Sequence, residues 1–325
     1  MAFVLRRLGY YLIAFWASLT INFLLPRLIP GDPVGRMLGQ MQGTLTDEQV
    51  AQFRHLFGLD DRPIALQYVQ YIGDVFTGNL GLSISQFPTP VSQVIGGQLG
   101  WTVLLGGTAL LIAVILGNLL GIWAAWRRGG VLDSLFPPLL VFVGSFPYFF
   151  IAMIALYLFA VLMKWFPVGQ AFTLGMTPSF SFSFIGDVLW HLILPAGTIV
   201  AVSVGGWMLG MRNTMIATSA EDYITMARAK GLREGRIMYR YAARNAMLPS
   251  VTSFGMSIGF VVGGALLTEV VFAYPGIGYQ LLRAVQALDY PLMQGIFLTL
   301  TAAVLVANFL IDIVYVRLDP RVRVR

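Results

Sequence analysis

The sequence has no cysteine, two histidines and two lysines, and each scarcity removes a class of chemistry. Without thiols there is no disulfide framework, thiolate metal site, thiol nucleophile or redox couple. The lysines, Lys164 and Lys230, precede Trp165 and Gly231, so no phosphate loop ending in Gly-Lys-Ser/Thr exists. Any ATP that drives this protein is therefore expected on another chain. Neither His55 nor His191 is followed by glutamate, which excludes a His-Glu-x-x-His zinc motif. Charge is scarce as well. Only 11% of residues are charged and 57% are hydrophobic, against about 25% charged in soluble domains, so the chain is expected in a bilayer.

What is present is a set of long apolar runs. A spanning helix needs about 20 mainly apolar residues, and six stretches qualify, near 8–25, 101–126, 137–163, 189–211, 251–273 and 292–316. The expected fold is an all-α integral membrane protein with six transmembrane helices and both termini on one side. Arg6, Arg7, Arg127, Arg128, Arg212, the basic residues from Arg228 to Arg244 and those from Arg317 to Arg325 then share that side. Only Arg27, Arg36, Arg54, Arg62, Lys164 and Arg283 lie opposite, so the first group is expected in the cytoplasm. The first run is too long for a cleaved signal and "LLPRLIPGDP" offers no small-x-small site, so it reads as a retained anchor.

The expected divisions are an N-terminal transmembrane helix at 1–28, an extracytoplasmic loop with short helices at 29–100, a five-helix core at 101–316, and a cytoplasmic tail at 317–325. Within the loop, "TDEQVAQFRHLFGL" reads as a short helix capped by Thr46 and "PIALQYVQYIGDVF" as an amphipathic one. The loop carries Asp32, Asp47, Glu48, Asp60, Asp61 and Asp74; either a docking surface or a lid would suit it.

Glycine pairs Gly117/Gly121 and Gly206/Gly210, and the series Gly255, Gly259, Gly263, have small-xxx-small spacing, which serves close helix packing. Two acids fall in apolar runs. Glu269 is placed to pair with Arg283 or to cap "YPGIG", and Asp312 lies within reach of Arg317. His191, next to Trp190 at the start of a run, reads as a ring at headgroup level. The aromatic residues, Tyr148 and Trp207 among them, suit packing and interfacial belts as well as a bound solute.

One charged stretch interrupts the apolar pattern, "EDYITMARAKGLREGRIMYRYAARNAMLPS" from Glu221 to Ser250. Ser219 and Asp222 are spaced as a capping box, predicting a helix from near Ala220 of about three turns. Lys230 favours its negative end and Gly231 its termination. A second basic helix leads to Pro249. Composition alone allows a basic loop lying on anionic headgroups; the Gly and Pro punctuation also suits a rigid lever that a partner could push.

"ARAKGLREGRIMYRYAARNAMLP" resembles the EAA-type coupling segment of bacterial ABC importer permeases, in the form found in the dipeptide/oligopeptide/nickel permease family. Thr225, Met226 and Ala227 occupy the Glu-Ala-Ala positions, Gly231 is the glycine, and Leu248-Pro249 closes the motif. The likeness covers nearly the whole chain through "LRRLGYYLIAF", "LIPGDPV", "FGLDDRPIALQYVQYIGDVFTGNLGLS", "AAWRRGGVLDSL", "FPYFFIAM" and "VVFAYPGIGYQLLRAVQALDYPLMQG". This chain departs from the family at Gly100, where proline is common, and in lacking the motif's glutamate.

The resemblance implies a type I importer permease with no enzymatic activity and no cofactor of its own, ATP and magnesium being bound by partners. Those partners would be a second homologous permease, two cytosolic ATPase subunits and an extracytoplasmic solute-binding protein, with membrane lipid around the spans and no nucleic acid. Thr225, Met226, Ala227, Arg228, Ala229, Lys230, Gly231 and Leu232, within a coupling segment at 219–249, would dock the ATPase. Ala227 and Gly231 would permit close approach, and Arg228 and Lys230 would meet acidic groups. Pro249, Pro275, Gly276 and Gly278 would act as structural pivots. Peptides are the expected substrate, with oligosaccharides or nickel as alternatives within the family. An autonomous secondary transporter would call for inverted repeats or broken helices, and an intramembrane enzyme for a convergent nucleophile and base.

Overall fold

A computed structural model of the chain describes residues 2–28, 52 and 62–318. The helix expected at 46–59, all the loop acids except Asp74, and the tail beyond 318 lie outside the described residues. In lipid every backbone polar group needs an internal partner, which favours helix, and the regular elements are helical: α1 (Ala2–Leu28), α2 (Ile64–Phe76), α3 (Val91–Trp126), α4 (Val131–Ser134), α5 (Phe136–Gly144), α6 (Tyr148–Ala155), α7 (Phe182–Ser219), α8 (Asp222–Ala229), α9 (Glu234–Arg236), α10 (Arg244–Gly264), α11 (Leu266–Val271), α12 (Ile277–Ala287) and α13 (Tyr290–Leu318). A π-helical segment, Leu156–Leu162, extends α6, and another, Ile237–Ala243, joins α9 to α10.

Four helices among the described residues are long and apolar enough to cross a membrane: Arg6–Leu25, Val91–Trp126, Phe182–Ser219 and Tyr290–Leu310. The stretch expected as one rod at 137–163 is instead a bent pair, with 95° between Val131–Gly144 and Tyr148–Leu162. Pro147 explains the bend. It has no N–H for the helical ladder and its ring crowds the carbonyl one turn earlier, so α5 stops and α6 restarts from Pro147 at ψ 130°. The stretch at 251–273 is likewise divided, into α10 and α11 at Ala265. The 38 residues of α7 extend about 57 Å at 1.5 Å per residue, roughly twice a hydrocarbon core of about 30 Å. Its end therefore stands clear of the apolar zone and can carry α8.

The chain divides into two compact units. The first comprises 1–102 and 275–325, where α1 lies along α13 through polar contacts on one face. Arg7 Nη1 is 3.2 Å from Asp312 Oδ2, Tyr11 OH donates to the same oxygen at 2.8 Å, Ser18 donates to Thr301 at 3.1 Å, and Asn22 Nδ2 to the Gln294 carbonyl at 2.7 Å. Asp312 is thus held by Arg7 and Tyr11 across the helix pair. Phe23 packs against Tyr68 and Tyr71 of α2, at centroid distances of 5.1 and 5.6 Å, which bears out the amphipathic reading of that segment.

A buried carboxylate, missed in the sequence, ties the segment before α3 to the start of α13. Asp289 is fully buried; its Oδ2 accepts from the Ser83 hydroxyl at 2.5 Å, the Ser85 hydroxyl at 2.7 Å and the Ser85 N–H at 2.8 Å. Its Oδ1 accepts the Leu292 N–H at 3.1 Å, capping α13. Leu288, just before it, is left-handed at φ 56°, an uncommon conformation for a bulky side chain.

The second unit, 103–274, rests on small residues. A Cβ on Gly117 would collide with Trp207 Cβ and lie 2.9 Å from the Val204 carbonyl; one on Gly121 would lie 2.6 Å from the Met208 carbonyl. Gly205 meets the Leu140 carbonyl of α5 at 2.9 Å in the same way. Gly117 and Gly121 therefore let α3 touch the backbone of α7. A Cβ on Gly206 or Gly210 would meet nothing within 4 Å, so that pair is not needed for packing among the described residues.

Removing the Asp289 carboxylate orphans buried donors. Asp289→Ala is expected to cost about 2–4 kcal/mol, read as a lower melting temperature in detergent, with Asp289→Asn intermediate. Equal stability of all three proteins would show the clamp to be inconsequential.

Candidate functional site

The charged stretch folds as a short helix standing on the ends of the long ones. Its eight residues, Asp222–Ala229, span about 12 Å, shorter than the sequence suggested. The expected capping box does not form, because α7 continues to Ser219 and the Ser219 hydroxyl turns back to donate to the Met215 carbonyl at 2.7 Å. Glu221 is the N-cap, with no side-chain capping bond. The other end follows the sequence closely. Gly231 is left-handed at φ 70°, its N–H donates to the Arg228 carbonyl at 2.8 Å, and the Leu232 N–H to the Ala227 carbonyl at 3.3 Å. Together these two bonds form a Schellman motif.

The helix has an anchored face and a free one. Ile224 and Ala227 are buried in a cluster with Ile122 and Ala125 of α3, Met211 and Met215 of α7, and Ile237 and Ala242 of the following π-helical segment. Ala227 is small so that α8 can close onto its own chain; its Cβ faces inward and not toward an approaching protein. Thr225, Met226, Arg228, Ala229, Lys230 and Gly231 are exposed, while Leu232 is half-buried against the cluster. Met226 is 60% exposed, an unusual position for so large an apolar side chain outside an apolar span.

Polar contacts lock this assembly from several sides. Asn245 Nδ2 donates to Tyr223 OH at 2.9 Å and Trp123 Nε1 to Tyr239 OH at 2.7 Å. Arg212 Nε meets Asp133 Oδ1 at 2.6 Å, and the second oxygen of Asp133 accepts the Gly129 N–H at 2.9 Å, fixing the turn after α3 to α7. Arg228 is partly engaged within the chain, its Nε 3.6 Å from Glu234 Oε1 and its Cζ 5.6 Å from the Trp126 ring centroid.

The remaining sequence candidates lie elsewhere. Pro249 sits inside α10 and does not end a preceding helix; the path from Glu234 to Gly264 is continuous through the π-helical segment. Pro275 and Gly276 form the entry to α12, with Gly276 as N-cap in an extended conformation and Gly278 buried. The left-handed residue in this neighbourhood is Ala273, φ 45°. His191 is 7% exposed, not a headgroup-facing ring. Because α7 begins at Phe182, His191 falls within it, and its Nδ1 is 2.9 Å from the Asp187 carbonyl, which can only accept and so places a proton there. Residues 255–259 spell Gly-Met-Ser-Ile-Gly, a nucleophile-elbow pattern by composition, but they lie within α10 and Ser257 donates to the Ser253 carbonyl at 2.9 Å. The turn that such a nucleophile needs is absent there. Asp133, Trp123 and Tyr239 escaped the sequence reading because their partners are 79 and 116 residues away.

Among the described residues the regular elements are helical, with several helices long and apolar enough to cross a membrane and a short two-faced helix packed on the ends of two of them. Residues 117–324 match the family model of binding-protein-dependent transport system inner membrane components, and residues 1–94 match the model of the N-terminal part of such membrane components; the chain belongs to this family. It is 39% identical to a putative peptide permease protein of Brucella suis biovar 1, over 99% of both chains. It is 34% identical to a di/tripeptide transport system permease protein of Pseudomonas aeruginosa, over 99% of both. An oligopeptide transport system permease protein of Bacillus subtilis is 31% identical, again over 99% of both.

Gly231 has open space around it, so substitution there isolates the backbone term. Gly231→Val is expected to weaken the end of α8 by about 1–2 kcal/mol, read as faster amide exchange at Gly231 and Leu232, whereas Gly231→Asn, which tolerates this conformation, changes it little. Equal effects of Val and Asn would rule out the backbone explanation.

Proposed function

We propose that this chain is a transmembrane subunit of an ATP-driven, binding-protein-dependent importer that carries dipeptides or oligopeptides across the inner membrane. The observation that carries the reading is the two-faced α8, with Ile224 and Ala227 set into the ends of α3 and α7 while Thr225, Met226, Arg228, Ala229 and Lys230 stand exposed. Force applied to such a helix reaches the spans directly, because it shares their packed cluster. The named peptide permeases that the chain resembles over their whole length support the substrate class.

In this reading six spans cross the membrane, with α10 as the fifth, and both termini face the cytoplasm. Residues 1–28 form the first span, 29–100 the outer loop, 101–316 the core and 317–325 the tail. Two ATPase subunits hold ATP and magnesium and hydrolyse it; one receives α8 together with the Gly231–Leu232 turn. A second, homologous permease completes the pathway, and a solute-binding protein delivers peptide to the outer side. Binding of ATP would move the coupling helices and with them α3, α7 and α10, while Pro249, Pro275, Gly276 and Gly278 would take up the change in direction. Coupling then runs through one packed element that both sites bias.

Met226 is the sharpest probe, since it is exposed in this chain and would be covered by the ATPase. Met226→Glu leaves the fold unchanged but puts a charge into that apolar contact. Peptide-stimulated ATP hydrolysis by the reconstituted complex is expected to fall about tenfold or more, the scale of losing one interfacial anchor. Undiminished stimulation in a complex of normal composition would refute α8 as the coupling element.

A further inference from the structure

Beside the C-terminus of α8 an open cleft of about 660 Å³ is lined by Gly231, Leu232, Gly235, Tyr239 and three arginines, Arg233, Arg236 and Arg240. The arginines recur at i, i+3 and i+7, so a helical path brings them to one side. No acid lines the cleft; Glu234, the one acid between 231 and 240, is turned to Arg228. Among the described residues none of the three arginines makes an ion pair or a side-chain hydrogen bond. A Cβ on Gly235 or Gly231 would meet nothing within 4 Å. The cleft is therefore an open site whose charged residues are all cationic, with free space around both glycines.

Its wall connects to an exposed apolar surface. Tyr239 OH accepts from Trp123 Nε1 at 2.7 Å, and both rings are exposed, the arrangement that amphipathic aromatics take at the headgroup level of a bilayer. From Trp123 an apolar ladder runs back along α3 through Leu119, Leu116, Ile115 and Ile112, each between 38% and 56% exposed. These positions lie four, seven, eight and eleven residues before Trp123, along one helix face. A cationic cleft, a girdle of tryptophan and tyrosine, and an apolar ladder follow one another in that order.

We infer that the cleft is a binding site for the headgroup of an anionic phospholipid, whose phosphate is taken by Arg236 and Arg240, with Arg233 at the rim, and whose acyl chain lies along the ladder of α3. A free phosphate or an acidic protein side chain would use the arginines but leave the ladder without a role. Guanidinium suits the task because it presents paired donors to phosphate oxygens and stays charged at any physiological pH. Basic pockets at the ends of membrane helices bind headgroups by this chemistry. The site does not depend on the transported substrate. The Gly231–Leu232 turn forms one side of its lining, so an occupied cleft would brace the end of α8.

The test uses the full chain purified in a neutral detergent. Phosphatidylglycerol and phosphatidylcholine of identical acyl chains are added, and retained lipid is counted by native mass spectrometry. Phosphatidylglycerol is expected to bind preferentially, and Arg236→Gln/Arg240→Gln to weaken it about ten- to thirtyfold, the effect of two arginines near a headgroup. The control Lys164→Gln/Arg283→Gln removes the same charge from exposed positions outside the cleft, which the charge pattern places on the other side of the membrane, and is expected to leave binding within about twofold, as distant exposed charges are screened. Should the double arginine variant fold poorly, Gly235→Phe fills the cleft without altering charge and is expected to lower retention as strongly. The inference is overturned if the cleft variants retain phosphatidylglycerol like the native chain, or if the control loses as much. It is also overturned if inorganic phosphate displaces the lipid at equal concentration, which would mark a soluble-anion site.

Discussion

The contact on which most of the second unit depends is the backbone approach of α3 to α7 at Gly117 and Gly121. A side chain at either position would occupy space that belongs to Trp207, Met208 or Met211. In lipid, helices gain little from hydrophobic burial against each other, so close van der Waals contact between backbones carries the association. Because the two helices touch there, their ends place Ile122 and Ala125 beside Met211 and Met215. That cluster is the socket into which Ile224 and Ala227 fit. A short amphipathic helix of eight residues has too few internal hydrogen bonds to persist alone; its order is borrowed from the socket.

Polar groups complete the arrangement by supplying direction where apolar contact supplies only proximity. Arg7, Tyr11 and Asp312 set the register of α1 on α13. Asp289 gathers four donors and so fixes where α13 begins. Arg212 and Asp133 hold the turn after α3 against α7. Each joins segments far apart in sequence, and each removes a charge or a carboxylate lone pair from an environment that would penalise it. A directional bond of this kind resists the sliding between helices that smooth apolar faces would allow.

The membrane class, the apolar stretches at 8–25, 101–126, 189–211 and 292–316, the amphipathic helix α2, and the left-handed turn at Gly231 were all legible in the amino-acid order. These follow from local rules: length of apolar run, period of the pattern, and the conformational freedom of glycine. The bend at Pro147 was a local signal as well, yet an unbroken apolar run concealed it. The start of α8 was misjudged because Ser219 offers the same hydroxyl to a cap or to the preceding turn, and only the continuation of α7 decides between them. His191 was placed at the surface because the sequence marks where apolarity begins, not where the helix does.

By itself the sequence determined that this protein is a multi-helix membrane protein with a basic, glycine-terminated helical segment, since hydropathy, charge and a helix-ending glycine are properties of neighbours along the chain. Tertiary structure alone decided which face of α8 is free, that Ala227 points inward, that Asp289 and Asp133 are joints, and that three arginines share a cleft beside Trp123. Those facts concern residues brought together from tens to hundreds of positions apart, and periodicity within one helix carries no information about which neighbour covers which face.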